Sequence, residues 1–152
     1  MSEIETLLER AKKYCAYRER CQQETRLKLK ELGAKSSVAE EIISMLIISG
    51  FLNEQRFAQV FCSGKFRYNS WGRRRIVREL EKREISSQCI AIGLEEISEE
   101  DYLNELKRLI SFRAKEGKRE IDIVKRNRIA QYCIRKGFES ALVWIEINKQ
   151  IS

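Results

Sequence analysis

Three stretches, Thr25-Arg26-Leu27-Lys28-Leu29-Lys30-Glu31-Leu32-Gly33, Ile76-Val77-Arg78-Glu79-Leu80-Glu81-Lys82-Arg83-Glu84 and Ile129-Ala130-Gln131-Tyr132-Cys133-Ile134-Arg135-Lys136-Gly137, can be laid over one another position by position. They begin at residues 25, 76 and 129, so the offsets are 51 and 53 residues. Each reads as a basic amphipathic helix with apolar residues three and four apart. Each is followed by a turn and a shorter apolar helix: Val38–Ile48, Gln88–Ile97 and Ala141–Ile147. A period near fifty residues marks a tandem array, whose units are too small to bury a sufficient core alone and are stabilised by their neighbours. The expected fold is all-α, an elongated tandem array of three three-helix repeats at 1–52, 53–98 and 99–152. Identity between the copies is low, and a chance alignment of similar helices is the competing explanation.

Composition agrees with helices. The 152 residues contain no proline and no histidine. Proline breaks helices and punctuates loops, so its absence suits long helices joined by short turns. Helices are expected near 2–19, 21–32, 37–49, 53–68, 71–83, 86–96, 99–117, 121–136 and 139–150. Ser2, Ser37 and Ser98 each stand three residues before an acid, as in a capped helix start, and Ser70 and Ser86 are further candidate caps. Gly33, Gly50 and Gly137 follow periodic stretches, where a left-handed residue ends a helix.

Without histidine there is no Ser-His-Asp triad, Cys-His pair or imidazole metal site. No convergent nucleophile, base or metal-ligand set is visible, so the reading is a non-enzyme without cofactor or metal. Five cysteines, Cys15, Cys21, Cys62, Cys89 and Cys133, form no C-x-x-C pair and read as reduced structural thiols. The longest apolar run, Met45 to Ile48, is far short of the ~20 residues that span a bilayer. Met1–Arg10 is acidic rather than signal-like, so a cytoplasmic protein without membrane contact is expected.

The 30 basic and 23 acidic residues leave a net charge of +7. Between Lys65 and Arg78 stand Lys65, Arg67, Arg73, Arg74, Arg75 and Arg78 with no acid. Phe66, Tyr68 and Trp71 lie among them, a mixture of cations and flat faces that suits nucleic acid. The competing reading is packing: Phe57, Phe61, Trp71, Ile76 and Leu80 fall at helical spacings that suit a core. Arg73, Arg74 and Arg75 occupy the first turn of a helix, where positive charge opposes the macrodipole, and this suggests an external anion. They fan around about 300° of the helix, so at least one packs or solvates. A second cluster, Arg113, Lys115, Lys118, Arg119, Lys125, Arg126 and Arg128, either binds the same polyanion or solvates a helix. No base-reading chemistry accompanies either cluster, so contact with DNA phosphates, single- or double-stranded, would be sequence-independent.

The stretch Gly50-Phe51-Leu52-Asn53-Glu54-Gln55-Arg56-Phe57-Ala58-Gln59-Val60-Phe61, then Lys65-Phe66-Arg67, Trp71-Gly72-Arg73-Arg74-Arg75-Ile76 and Glu79-Leu80-Glu81-Lys82, strongly resembles the RecX family of bacterial recombination regulators. The outer copies agree more loosely through Leu29-x-x-x-Gly33 and Arg135-Lys136-Gly137-Phe138, over about residues 10–148. The family's usual glycine at the end of the second basic helix is Glu84 here, which puts a left-handed cap at that turn in doubt. The resemblance implies a curved, non-enzymatic array that binds the RecA filament and limits its extension, ATP hydrolysis and strand exchange, and a monomer is expected. It also implies that Arg56, Arg73, Arg74, Arg75 and Arg78 occupy the family's central basic positions.

Overall fold

The computed structural model describes residues 2–117 and 120–151, and these form nine helices and no strand. They are α1 (Glu3–Tyr17), α2 (Gln22–Glu31), α3 (Ser36–Ile48), α4 (Glu54–Asn69), α5 (Arg73–Lys82), α6 (Ser87–Leu94), α7 (Glu99–Lys115), α8 (Ile123–Arg135) and α9 (Ser140–Gln150). Each expected helix is present, with ends shifted by no more than two residues.

The repeat is written in the turns. Gly33, Glu84 and Gly137 all have left-handed backbone, with φ of 89°, 60° and 107°. At each, the amide of the following residue donates to the carbonyl five positions back: Ala34 to Leu29 at 2.9 Å, Ile85 to Leu80 at 3.1 Å, and Phe138 to Cys133 at 3.1 Å. The left-handed residue itself donates three back, to Lys30, Glu81 and Ile134. This bond pair satisfies carbonyls orphaned at a helix end. The doubt over Glu84 is therefore corrected: the cap persists without glycine. The aligned side chains Leu29, Leu80 and Cys133 are all fully buried, as are Thr25 and Ile76, with Ile129 nearly so. A fully buried leucine contributes about 1.5–3 kcal/mol. Thr25 stands where the other copies have isoleucine, and its hydroxyl donates to the Cys21 carbonyl at 2.9 Å, so its burial leaves no orphan.

Helix starts follow the expectation in part. Ser2 forms a full capping box with Glu5, Ser98 accepts from the Asp101 amide, and Ser86 accepts from the Cys89 amide at 3.2 Å. Ser37 is no cap, because α3 begins one residue earlier behind Lys35 and Glu40 instead pairs with Arg26. Ser70 is no cap either: its φ is 54°, and its hydroxyl donates to Glu105 at 2.5 Å.

The helices group into two compact units, Met1–Val60 with Leu80–Gly93, and Phe61–Glu79 with Leu94–Ser152. In the first, a stripe of Leu7, Ala11 and Cys15 on α1 packs with Leu29 of α2 and Ala39, Ile42, Ile43 and Leu46 of α3. Gln23 donates to the Lys82 carbonyl at 3.0 Å and Arg83 pairs with Glu24 at 3.6 Å, fastening the end of α5 to α2. In the second, Ile76, Tyr102, Leu106, Ile110, Ala130, Cys133, Phe138, Val143 and Ile147 are buried. Their ring stack runs Phe66–Tyr102–Phe138, with centroids 5.9 and 4.9 Å apart. All five cysteines are free. Burial pushes the thiols of Cys21, Cys62 and Cys133 up to about 11, 12 and 11, so they stay protonated near neutral pH.

Candidate partner interface

The basic α5 start is built on a close backbone approach in the second unit. The Gly72 amide donates to the Lys136 carbonyl at 2.8 Å, the Arg74 amide to the Gly137 carbonyl at 2.9 Å, and the Arg73 amide to the Tyr102 hydroxyl at 3.0 Å. A Cβ on Gly72 would run into the backbone of Gly137 and Phe138. The amides of Gly72, Arg73 and Arg74 at the start of α5 are thus satisfied from within, by the C-terminal turn of α8 and by Tyr102. The seat at the amides is filled by the protein's own carbonyls and a phenol, which leaves any external anion at this helix start to the arginine side chains.

Of the three arginines, Arg73 is the one that packs. Its guanidinium lies 3.8 Å over the Tyr102 ring and pairs with Glu99 at 2.6 Å and Glu139 at 3.0 Å. Tyr102 also donates to Glu139. Burial alone would raise the Glu139 pKa, but the bonds from Tyr102, from its own backbone amide and from Arg73 hold the carboxyl below the usual range. Burial, and then the bond to Glu139, push the Tyr102 phenol up. Sequence reasoning missed Glu99, Tyr102 and Glu139; the acid two residues past the Gly137 stop was the available signal.

Arg75 and Lys65 meet at Trp71, with Arg75 4.2 Å and Lys65 4.9 Å from its ring centre. Phe61 packs edge-on to the same ring at 6.2 Å, with Lys65 also over it. Phe61 and Trp71 are only half-buried, so the core-packing reading does not hold for these two, whereas Phe57, Ala58 and Cys62 on α4 are deep in the core, as are Ile76 and Leu80. Two cations stacked on one indole, each worth about 0.5–1 kcal/mol at such a site, brace it at the surface. Tyr68 is exposed and Phe66 half-buried against Tyr102.

Arg67, Arg74 and Arg78 are exposed and make no ion pair among the described residues. Arg74 and Arg78 stand four apart on α5 and so share a face. Arg56, in the first unit, is bound inward: its Nε contacts both Glu19 oxygens, at 2.5 and 2.9 Å, and its terminal nitrogen donates to the Gly50 carbonyl at 3.0 Å.

The second cluster divides likewise. Arg113 lies 3.7 Å from the Tyr132 ring centre and pairs with Glu116 at 3.1 Å. Lys125 donates to the Ala114 and Glu116 carbonyls, both at 2.9 Å, closing the end of α7, and Arg126 donates to the Ile151 carbonyl and Asn148. Lys115 and Arg128 are exposed. Lys118 and Arg119 lie outside the described residues. Among the described residues no three acids or cysteines gather as metal ligands, and no helix is long and apolar enough to cross a membrane.

Residues 53–94, which carry α4 to α6, match the model of the second three-helix domain of RecX. The regulatory protein RecX of Oceanobacillus iheyensis is 24% identical over 136 residues, covering 90% of this chain and 50% of the relative, so the chain spans about half the length of that curated protein. The crystal structure of RecX from Lactobacillus salivarius shares the fold, with a TM-score of 0.85 at 22% identity over 96% of this chain and 95% of that one. A second crystal structure, of a regulatory protein RecX, superposes with a TM-score of 0.85 at 18% identity, over 95% of this chain and 71% of the other. The central segment thus resembles the second three-helix domain of RecX, and the chain as a whole shares the fold of the two RecX crystal structures.

Proposed function

We propose that this chain is a regulatory protein that binds the RecA filament and limits ATP hydrolysis, filament extension and strand exchange, acting by occupancy and without turnover. The observation that carries the reading is the central α4–α5 pair: it is the part matched to the family, and it presents Arg67, Arg74 and Arg78 to solvent, none of them in an ion pair among the described residues. Arg56 and Arg73, matched to the family's basic positions, serve this surface indirectly, by holding the helices that display it. The array is read as three repeats, 1–52, 53–98 and 99–152, working as a cytoplasmic monomer with no cofactor or metal. Lys65 and Arg75 brace Trp71 beside these arginines, and the exposed Lys115 and Arg128 of the second cluster are read as further contacts to the same partner.

The test is RecA ATP hydrolysis on single-stranded DNA. Substoichiometric amounts of this protein slow it, and Arg74→Glu with Arg78→Glu weakens the inhibition severalfold while helical circular dichroism is unchanged. Unchanged hydrolysis at saturation, with no binding to filaments, overturns the proposal. The same unpaired arginines favour a second reading, a sequence-independent nucleic-acid module that needs no RecA. Neutralising four to six phosphates predicts a log–log salt slope of about −3 to −4 on single strands; a flat dependence removes that alternative.

A further inference from the structure

A second cationic and aromatic site lies in the first unit, on residues that the RecA reading does not use. Helix α1 carries Arg10, Lys13, Tyr14 and Tyr17 at spacings of three and four, so they line one face, apart from the Leu7, Ala11 and Cys15 stripe that faces the core. Beyond the end of α1 the chain folds Arg20 back. Its Nε donates to the Tyr14 carbonyl at 3.1 Å, and its guanidinium lies 3.8 Å over the Tyr14 ring and 6.0 Å from that of Tyr17. Lys28 of α2 stands 5.7 Å from the Tyr14 ring. Together with Leu32 these residues line a groove of about 510 Å³ that no acid enters.

Arg20 is the unusual member. It is only 8% exposed, and among the described residues it pairs with no carboxylate. Glu24 Oε2 is the one fully buried side-chain oxygen or nitrogen among the described residues without a hydrogen-bond partner, so the terminal nitrogens of Arg20 keep access at the groove. Beside them Tyr17 is 83% exposed, a flat face next to four cations.

We propose that this groove binds a nucleotide unit of single-stranded nucleic acid, with phosphate on Arg20, a base stacked on Tyr17, and Arg10, Lys13 and Lys28 tracking the flanking backbone. The volume lies in the range of small-ligand sites and suits one nucleotide at a time. Aromatic stacking beside a cationic track is the general chemistry of single-strand binding. A purely anionic partner, such as a phosphopeptide or a lipid headgroup, would use the cations and leave Tyr17 idle.

The test uses the full chain, a fluorescently labelled oligothymidylate and anisotropy, with no recombinase present, so its outcome is separate from that of the RecA reading. Tyr17→Ala weakens oligothymidylate binding about tenfold and leaves the affinity for heparin, an anion without bases, unchanged. Arg10→Glu with Lys13→Glu weakens both and flattens the single-strand salt slope by about 1.4. Both variants change exposed side chains and keep their helical circular dichroism. Thymidine monophosphate, matched in nucleotide concentration, separates the sources: poor competition identifies a strand, and full competition identifies a free nucleotide as the ligand of the same groove. Equal loss of heparin and oligothymidylate in Tyr17→Ala, affinities unmoved by both variants, or no binding by the wild type overturns the proposal.

Discussion

The turn after α2 and the turn after α8 share a backbone and differ in what surrounds it. Gly33 and Gly137 are both left-handed, and both are closed by the same pair of amide-to-carbonyl bonds. Around Gly33 an added Cβ would meet nothing within 4 Å, whereas at Gly137 it would meet Arg75 Cβ at 2.5 Å, the Arg75 amide nitrogen at 2.7 Å and the Gly72 carbonyl oxygen at 2.9 Å. The residues that lead into the next helix diverge too. Lys35 leads α3 with no side-chain cap, while Glu139 leads α9 and spends its carboxylate on Tyr102 and Arg73. One local turn serves two tertiary tasks: at Gly33 it only reverses the chain, and at Gly137 it also docks a neighbouring helix start.

The largest effect is therefore expected from closing the Gly72–Gly137 approach. Gly137→Ala adds left-handed strain of about 1–2 kcal/mol to overpacking against backbone of about 1–3 kcal/mol. Gly72→Ala has no strain from positive φ, but its Cβ meets backbone that no rotamer change can move. Each should lower the urea-denaturation free energy by about 3 kcal/mol. Gly33→Ala should lose only about 1 kcal/mol. Equal losses at positions 33, 72 and 137 would break the distinction between a free turn and a docked one.

Glu139→Gln probes the docked turn through its charge. The folded carboxyl lies below the usual 4.5, so its contribution to stability is fully present above pH 4.5 and is lost as pH falls through the lowered folded value. The variant leaves Arg73 with Glu99 alone and should cost about 2 kcal/mol at neutral pH, the scale of a charged hydrogen bond. It should also flatten the acid limb of a stability-against-pH curve below 4.5. An acid limb that keeps the wild-type slope would show that other carboxylates carry it.

What was legible in the residues follows the same division. Leu29, Leu80 and Cys133 align because burial at helical spacing is a local property, and the stops at Gly33 and Gly137 are visible for the same reason. Arg73 was legible as a cation at a helix start but not as an internal one, since its partners Glu99 and Glu139 stand 26 and 66 residues away. The spacing of Trp71 suits a core position as well as a surface one; Lys65 and Arg75 hold it at the surface, and helical periodicity cannot distinguish a buried ring from one covered by cations. Arg74 and Arg78 kept the exposure that their charge suggested.

The smallest expected effect tests whether the turn itself is local, and it comes from the copy that has lost its glycine. Glu84 holds φ at 60° with the same bond pair as Gly33 and Gly137, so its side chain bears the left-handed strain that glycine avoids. Glu84→Gly removes about 1–2 kcal/mol of strain and returns about 0.4–1 kcal/mol through the freer unfolded chain. Glu84 also adds to the field that favours the charged form of Arg26, but with Glu84 exposed and Arg26 half-buried that field adds little. The net is a gain of about 0.5 kcal/mol, a rise in Tm of about 1–2 °C for a chain of this size. Gly33→Ala and Glu84→Gly should thus move stability in opposite directions at equivalent positions. A fall in Tm for Glu84→Gly would mean that the Glu84 side chain is worth more to this turn than its backbone costs, and the three turns would then be alike in geometry without being alike in what holds them.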